Sequence, residues 1–562
     1  MLTLVNAMKR FYQDFIYSGF ILLLSILSVF DLFVNTGKPA NGDGLIHTLV
    51  PVLFAKALSQ GYFPVDWVSG FANYGLPLGT VSQQLSTYLS AFVVFLTHSP
   101  TLGFNIVVFL GVFLSCLFFY FFLRFYFSPL VSFVAVCFFN FAPYRILNIY
   151  IRGALPEFFA GVFFPLLGIA LYLTIVKRKV FGIFLFIVTV ALLTLTHPFM
   201  DIVAIFLVGP YVLFLLFTTY RLDYKDMLKP LIQIILGGGA GLGLTAYYIV
   251  PLTLEIKYFY YGLSRNHLTP NNFLTLTNFV TNRYPYFTTL DVFNRGFVVN
   301  VGFLESFIFL CGFFYVFYRI VLKKLQKNEQ LLVVAIFTGL LLLFLMWPLS
   351  TPIYQHVAFL SNIQFPWRML SGFIFIPPII LATFLAKIKW QKTFALLFIL
   401  IICLIAFPQL YGKNYTNFPY RYYTFTPYNL DAVVMNTIWT GVSNNYPRGQ
   451  APFALASGSA QVQIISLQEE KHVYKIAAKT PIQFVDHTFY FPGWQAAIDT
   501  SPATIQYQDP NYRGVITLAV PAGNHIVTTT YTDTKIRLLG KIISVISLLL
   551  LIPLYLLIQK FW

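Results

Sequence analysis

YSGFILLLSILSVFDLFVNT (residues 17–36) is twenty residues carrying one formal charge, Asp31, and NGDGLIH (41–47) follows four residues later. Twenty predominantly apolar residues form a helix of about 30 Å, the thickness of a bilayer's hydrocarbon core. The stretch is too long for a signal-peptide core and lacks a small-residue cleavage site, so it reads as an uncleaved anchor. Outward from it the pattern repeats. The 562-residue chain is 58% hydrophobic and only 10% charged, with a mean hydropathy of +0.75, where soluble domains carry about 25% charged residues. In lipid each segment must satisfy its own backbone groups, which makes the helix the default spanning structure. The fold class is an all-α polytopic membrane protein.

Short basic loops orient it, because Lys and Arg near span ends favour the cytoplasm. Lys9-Arg10, Lys177-Arg178-Lys179, Lys323-Lys324 and Lys387 to Lys392 all lie in such loops. Placing them inside predicts twelve spans, near 17–36, 103–123, 128–143, 156–175, 180–196, 199–219, 230–253, 298–322, 330–348, 368–387, 392–408 and 538–559. Both termini are then cytoplasmic in a multi-pass plasma-membrane protein. Residues 85–97 (LSTYLSAFVVFLT) are too short to span without reversing that order, and read as a juxtamembrane or re-entrant helix. Residues 37–102 become a structured outer loop, 254–297 a second one, and 144–155 and 349–367 short outward loops.

Composition changes near residue 410. From there to about 535 the chain is rich in Tyr, Thr and Asn. Residues 517–520 and 525–531 alternate in the manner of strands around Pro521-Ala522-Gly523-Asn524. Three units follow: a transmembrane domain over 1–410, an extracytoplasmic β-sandwich over 411–535 and a last helix over 536–562.

The net charge of +17 does not indicate nucleic acid, because the basic residues are scattered over many loops without an Arg-rich or aromatic-interleaved motif. Cys116, Cys137, Cys311 and Cys403 lie in apolar stretches with no CxxC pair, so neither zinc nor a disulfide framework is indicated. Gly237 to Gly243 miss the GxGxxG spacing inside an apolar span and read as close helix packing. Walker A, HExxH and GxSxG motifs are lacking.

Against this background a few polar residues stand out. Asp43, before Gly44 and a resumed apolar pattern, reads as a helix N-cap or as a base, with His47 one turn on and able to reach a phosphate. Asp31, near the outer end of its span, is a rival acid. Arg145, Arg152 and Glu157 read equally as interfacial anchors with an Arg–Glu pair or as a clamp on a lipid-linked phosphate. His197, in Thr196-His197-Pro198, is open to either use. Trp367-Arg368 could be an aromatic belt with its flanking cation.

Several of these segments together resemble a known family. Gly42-Asp43-Gly44 with His47, Gly61-Tyr62-Phe63-Pro64, Asn73-Tyr74-Gly75-Leu76-Pro77, Arg152 to Glu157 (RGALPE), Thr196-His197-Pro198 and Gln364 to Arg368 (QFPWR) occur in the same order in the 6-pyruvoyl-tetrahydropterin-synthase-related membrane proteins. Phe491-Pro492-Gly493-Trp494, Val520 to His525 and Leu539-Gly540 resemble the end of the YfhO-like proteins. The resemblance covers nearly the whole chain; RGALPE and QFPWR are its most specific parts. Two places depart from it: Asp66 precedes Trp67 where a basic residue is commoner, and Val81 to Gln84 replace a Phe-Tyr-Pro-Pro-like run.

The resemblance implies a GT-C-type glycosyltransferase that takes a sugar from a polyprenyl phosphate on the outer face and passes it to a glycan or envelope-polymer acceptor. Asp43 would then be the base. His47, Arg145, Arg152 and Arg368 would bind the donor phosphate, and Glu157, His197 and Trp367 would support them. No cofactor is required; a divalent cation suits such chemistry, though no acid cluster demands one. A lipid or polysaccharide transporter or flippase, and a non-catalytic scaffold for envelope assembly, are the alternatives. Transporters commonly show related halves with broken helices, and no internal repeat is visible.

Overall fold

A computed structural model describes residues 2–70, 74–221, 223–259, 272–280, 299–326, 329–424, 436–440 and 451–561. Most of the expected outer loop 254–297 lies outside the described residues. Among the described residues nine helices are long and apolar enough to cross a membrane, and up to eleven if two bent pairs each count as one span. The pairs are Pro129–Asn140 with Pro143–Arg152, bent by 51°, and Gln330–Met346 with Pro348–His356, bent by 77°. Each of the twelve expected spans falls on one of these helices or on Val180–Thr196, which at 17 residues is shorter than the rest.

Three boundaries differ from expectation. Residues 144–155, expected as an outward loop, are helical and buried. Pro143 cannot continue the helix before it, but its fixed φ suits the first position of a new one. The expected span 230–253 breaks at Thr245 into Tyr224–Leu244 and Ala246–Glu255. Residues 349–367 contain the short helix Thr351–His356.

The glycine run serves packing. A Cβ on Gly237 would meet Ile183, one on Gly241 the Ile187 carbonyl, and one on Gly243 Ser547. The helix Tyr224–Leu244 therefore lies close against both Val180–Thr196 and the C-terminal helix Lys535–Phe561.

Among the described residues the C-terminal domain holds eight strands: β1 Phe453–Ser457, β2 Ala460–Leu467, β3 Lys471–Ala478, β4 Ile482–Phe489, β5 Trp494–Ile498, β6 Ser501–Ala503, β7 Val515–Val520 and β8 Gly523–Tyr531. They form a three-stranded sheet, β1-β4-β7, and a five-stranded sheet, β2-β3-β8-β5-β6. The strand–turn–strand signal at 517–531 marks two real strands, but they do not form a hairpin. β7 pairs with β4, β8 pairs with β3 and β5, and the turn crosses from one sheet to the other.

This sandwich shares one hydrophobic core with the loop 37–102, which places the two on the same side of the helical domain. Trp67 is fully buried between Trp494 and Tyr531, with ring centroids 5.2 and 5.0 Å away. Asp66, the acid that departs from the family pattern, pairs with Lys541 of the C-terminal helix at 3.1 Å. Glu469, in the β2–β3 turn, pairs with Lys56 at 2.5 Å and accepts the Ser69 amide.

Asp486 of β4 fastens the two sheets. Buried completely, it accepts hydrogen bonds from His472 of β3 at 3.0 Å, Thr529 of β8 at 2.7 Å and Thr488 at 2.8 Å. The pair titrates in opposite directions against burial. The Asp486 carboxylate raises the His472 pKa, and the His472 charge lowers that of Asp486. His472 therefore contributes stability that is complete below its ordinary 6.5 and is lost as pH rises through its raised value. Asp486 contributes stability present above its ordinary 3.8 and lost as pH falls through its lowered value. Unfolding of the sandwich, followed by tryptophan fluorescence of the full chain in detergent, should have its highest midpoint between those two values. Asp486→Asn should lower the midpoint and flatten the profile; an unchanged profile would remove the lock.

Candidate active site at the outer loop and the buried turn

The turn that follows Pro143–Ile146 is a single π-helical turn, Leu147–Arg152, closed by Gly153 at φ 64°. Its last carbonyls face the NGDG segment. The Gly42 amide donates to the Ile151 carbonyl at 3.0 Å, and the Asp43 amide to the Arg152 carbonyl at 2.6 Å. The approach needs glycine at both positions. A Cβ on Gly153 would lie 2.7 Å from the Gly44 nitrogen, and one on Gly44 would overlap the Asn41 side chain. Asp43 is thus attached through its backbone to the residue that carries Arg152.

The capping alternative for Asp43 is not realised. The helix Ile46–Ser59 begins after Leu45 and no side chain caps it. The Asp43 side chain is exposed, and among the described residues it accepts no hydrogen bond and joins no ion pair. Protein nevertheless encloses it closely enough that burial raises its carboxyl pKa, while Arg152 and Arg368 oppose the rise and Glu157 adds to it. A carboxylate reachable by solvent, lacking a partner and lifted in pKa is the arrangement expected of a base.

Beside it lies a buried charge cluster centred on Glu157, at the start of Leu155–Ala160. Arg152 approaches the carboxylate at 3.1 Å, and Arg368 Nε donates to its Oε2 at 3.1 Å. Tyr144 and Ser371 add hydroxyl donors, the latter at 3.2 Å. Arg152 also donates to Asn148 Oδ1 at 2.6 Å and stacks over Trp367, 4.6 Å from the ring centroid. Trp367 lies parallel to Phe365 at 5.0 Å, and Arg368 caps the Phe365 ring at 5.0 Å. Two guanidiniums against one carboxylate leave the cluster a net cation, the electrostatic character that suits an anion.

His197 and His47 flank this cluster in different ways. His197 is 6% exposed, and among the described residues its Nδ1 has no hydrogen-bond partner. His47 is half-buried, and its pKa is pushed down to about 3 by burial, Arg152 and Lys38. It is a neutral imidazole with one N–H to offer, and not a cation. Arg145 is not brought to the cluster. It is buried between the Phe139 and Phe158 rings, 4.2 and 5.0 Å from their centroids, and donates to Ser115. Asp31, the rival acid, accepts the Gly412 amide at 2.7 Å and the Tyr415 hydroxyl at 2.6 Å, which ties the first span to the segment after Gln391–Gln409.

Sequence reasoning missed Lys38, Asn41, Tyr144, Asn148 and Ser371. Asn148 and Arg152 are one helical turn apart, a spacing open to inspection. The contacts of Ser371 and Lys38 depend on the fold. Among the described residues no group of three or more His, Cys, Asp or Glu is placed to hold a metal ion.

Fold and site together define a polytopic helical membrane protein with a C-terminal β-sandwich and a buried cationic cluster beside a free carboxylate. No family model matches the chain, and no curated protein does. Among solved structures it is similar to the oligosaccharyltransferase of Archaeoglobus fulgidus in the apo form, at 14% identity and a TM-score of 0.41 over 72% of this chain and 57% of that one. The same enzyme, tethered by a disulfide bond to an acceptor peptide containing the NVT sequon, matches at 15% identity and 0.41 over 72% and 56%. The chain spans a little over half the length of these structures, and neither supplies a residue role or a substrate for it.

Glu157→Gln should destabilise the full chain in detergent by the roughly 3–5 kcal/mol typical of a broken buried ion pair. Thermal unfolding would show it as a large fall in midpoint; an unchanged midpoint would mean that the two guanidiniums do not depend on Glu157.

Proposed function

We propose that the chain is an integral-membrane glycosyltransferase that moves a sugar from a polyprenyl phosphate to a hydroxyl of a glycan or envelope polymer on the extracytoplasmic face. The observation that carries this is the Asp43 carboxylate: accessible, without a partner among the described residues, and fixed through its backbone to Arg152 beside a cationic cluster. In this reading 37–102 and 411–535 are extracytoplasmic and both termini cytoplasmic.

The step needs no nucleotide. Asp43 takes the proton of the acceptor hydroxyl, whose oxygen attacks the anomeric carbon in line. The bond from that carbon to the phosphate oxygen breaks, its electron pair leaving with the polyprenyl phosphate. Arg152 and Arg368 stabilise the charge gathering there. Glu157 lies between them and sets their positions, acting on the reaction only through the arginines. His197 and His47 can each donate one hydrogen bond to the phosphate oxygens.

Asp43→Asn should cut transfer from a labelled polyprenyl-phosphate sugar by about a hundredfold or more, the usual worth of a general base. Membrane insertion and folding should be unchanged. Full transfer by that variant would end the role given to Asp43.

A further inference from the structure

We propose that Lys38 is a positioning residue for Asp43: its ammonium fixes the Asn41 amide, which wedges between Gly44 and Gly153 and holds the NGDG turn on the carbonyls of Ile151 and Arg152. The inference rests on the reading of Asp43 as the base, and adds how that residue is kept in place.

Lys38 is 4% exposed, and among the described residues it meets no carboxylate. It donates to the Pro39 carbonyl at 2.9 Å and to Asn41 Oδ1 at 3.0 Å. An ammonium can only donate, so it selects the Asn41 oxygen and turns the amide nitrogen the other way. Asn41 is wholly buried, with its side chain in the space where a Cβ of Gly44 or of Gly153 would stand. Any rotation of that amide must push one glycine off the other, and with it the two backbone bonds that carry Asp43.

The backbone of Lys38 is fastened independently. It exchanges two hydrogen bonds with Thr416, at 3.0 and 2.9 Å, and the Ala40 amide donates to the Lys413 carbonyl at 2.9 Å. Losing the side chain's charge therefore loosens Asn41 without releasing the loop from the 412–416 strap. The titratable groups on the elements around Lys38 are Asp31, Tyr415 and Lys413 on the strap side, with Asp43, His47 and Arg152 on the site side. Asp31 is already held by Gly412 and Tyr415. Burial brings Lys38 down to about 8, so the staple weakens at mildly alkaline pH.

Amide hydrogen exchange of the full chain in nanodiscs, expressed as protection factors to remove the intrinsic pH dependence, tests this without an activity assay. In the natural chain, protection of residues 40–45 should fall about tenfold between pH 7 and 9. Lys38→Arg, which cannot deprotonate in that range, should abolish the fall. Lys38→Met should show low protection at both pH values, while the β-sandwich strands stay protected. Asn41→Leu, which keeps the bulk and removes the amide, should copy Lys38→Met if Lys38→Met folds poorly. Protection that is flat with pH in the natural chain, or equal in all four proteins, would overturn the proposal. If the exchange results hold and Asp43→Asn still transfers sugar, the catalytic reading fails and the positioning of the turn stands.

Discussion

A carboxylate at the boundary of a membrane domain costs several kcal/mol to desolvate unless cations repay it. Glu157 is held by two arginines that come from different parts of the chain, Arg152 at the end of the buried turn and Arg368 at the start of Pro366–Leu385. Tyr144 and Ser371 fill its remaining acceptor sites. This one ion cluster binds the bent segment Pro143–Arg152 to two spans. The bent segment in turn offers the carbonyls on which the NGDG loop rests. The Asp43 backbone thus rests on the carbonyl of the same Arg152 whose side chain pairs with Glu157.

A second constraint acts from outside. In the loop 37–102, Trp67, Val65 and Leu76 are buried in the same cluster as the strands of the sandwich. Asp66 and Lys541 join that unit to the C-terminal helix, and Arg537 of the same helix pairs with Glu255 at 3.0 Å in a buried bond that also reaches the Pro492 carbonyl. The outer domain is therefore anchored at the helix that follows it, and at the strap 412–416 that precedes it. Between those anchors the site loop has little freedom of its own, which favours a preorganised carboxylate over one that swings in from solvent.

Much of this was legible in the chain and some was not. Twenty-residue apolar runs and the basic loops located the helices, because the length and charge rules are local. The bend at Pro143 was also local, yet 144–155 read as a loop: Arg152 looks solvated in a short stretch when its partner, Glu157, is beyond a second proline. Asp43 was found by its isolation among apolar residues, but spacing alone favoured a capping role for it, and the helix start at Ile46 removes that role. Arg145 shows the limit most clearly. It lies seven residues from Arg152 in the same motif-rich region, yet it is buried between two phenylalanines instead. The sheet change between β7 and β8 was hidden for the same reason, since a short turn between alternating strands is what a hairpin also requires.

In the proposed function the donor phosphate sits on the cationic cluster of Arg152 and Arg368, next to Asp43. A cryo-EM structure of the full chain in nanodiscs with a polyprenyl-phosphate sugar measures this most directly. The phosphate is expected within hydrogen-bond distance of Arg152 or Arg368, with the anomeric carbon on the side of the sugar that faces Asp43. A phosphate bound elsewhere, with the Asp43 carboxylate turned away from the sugar, would contradict it.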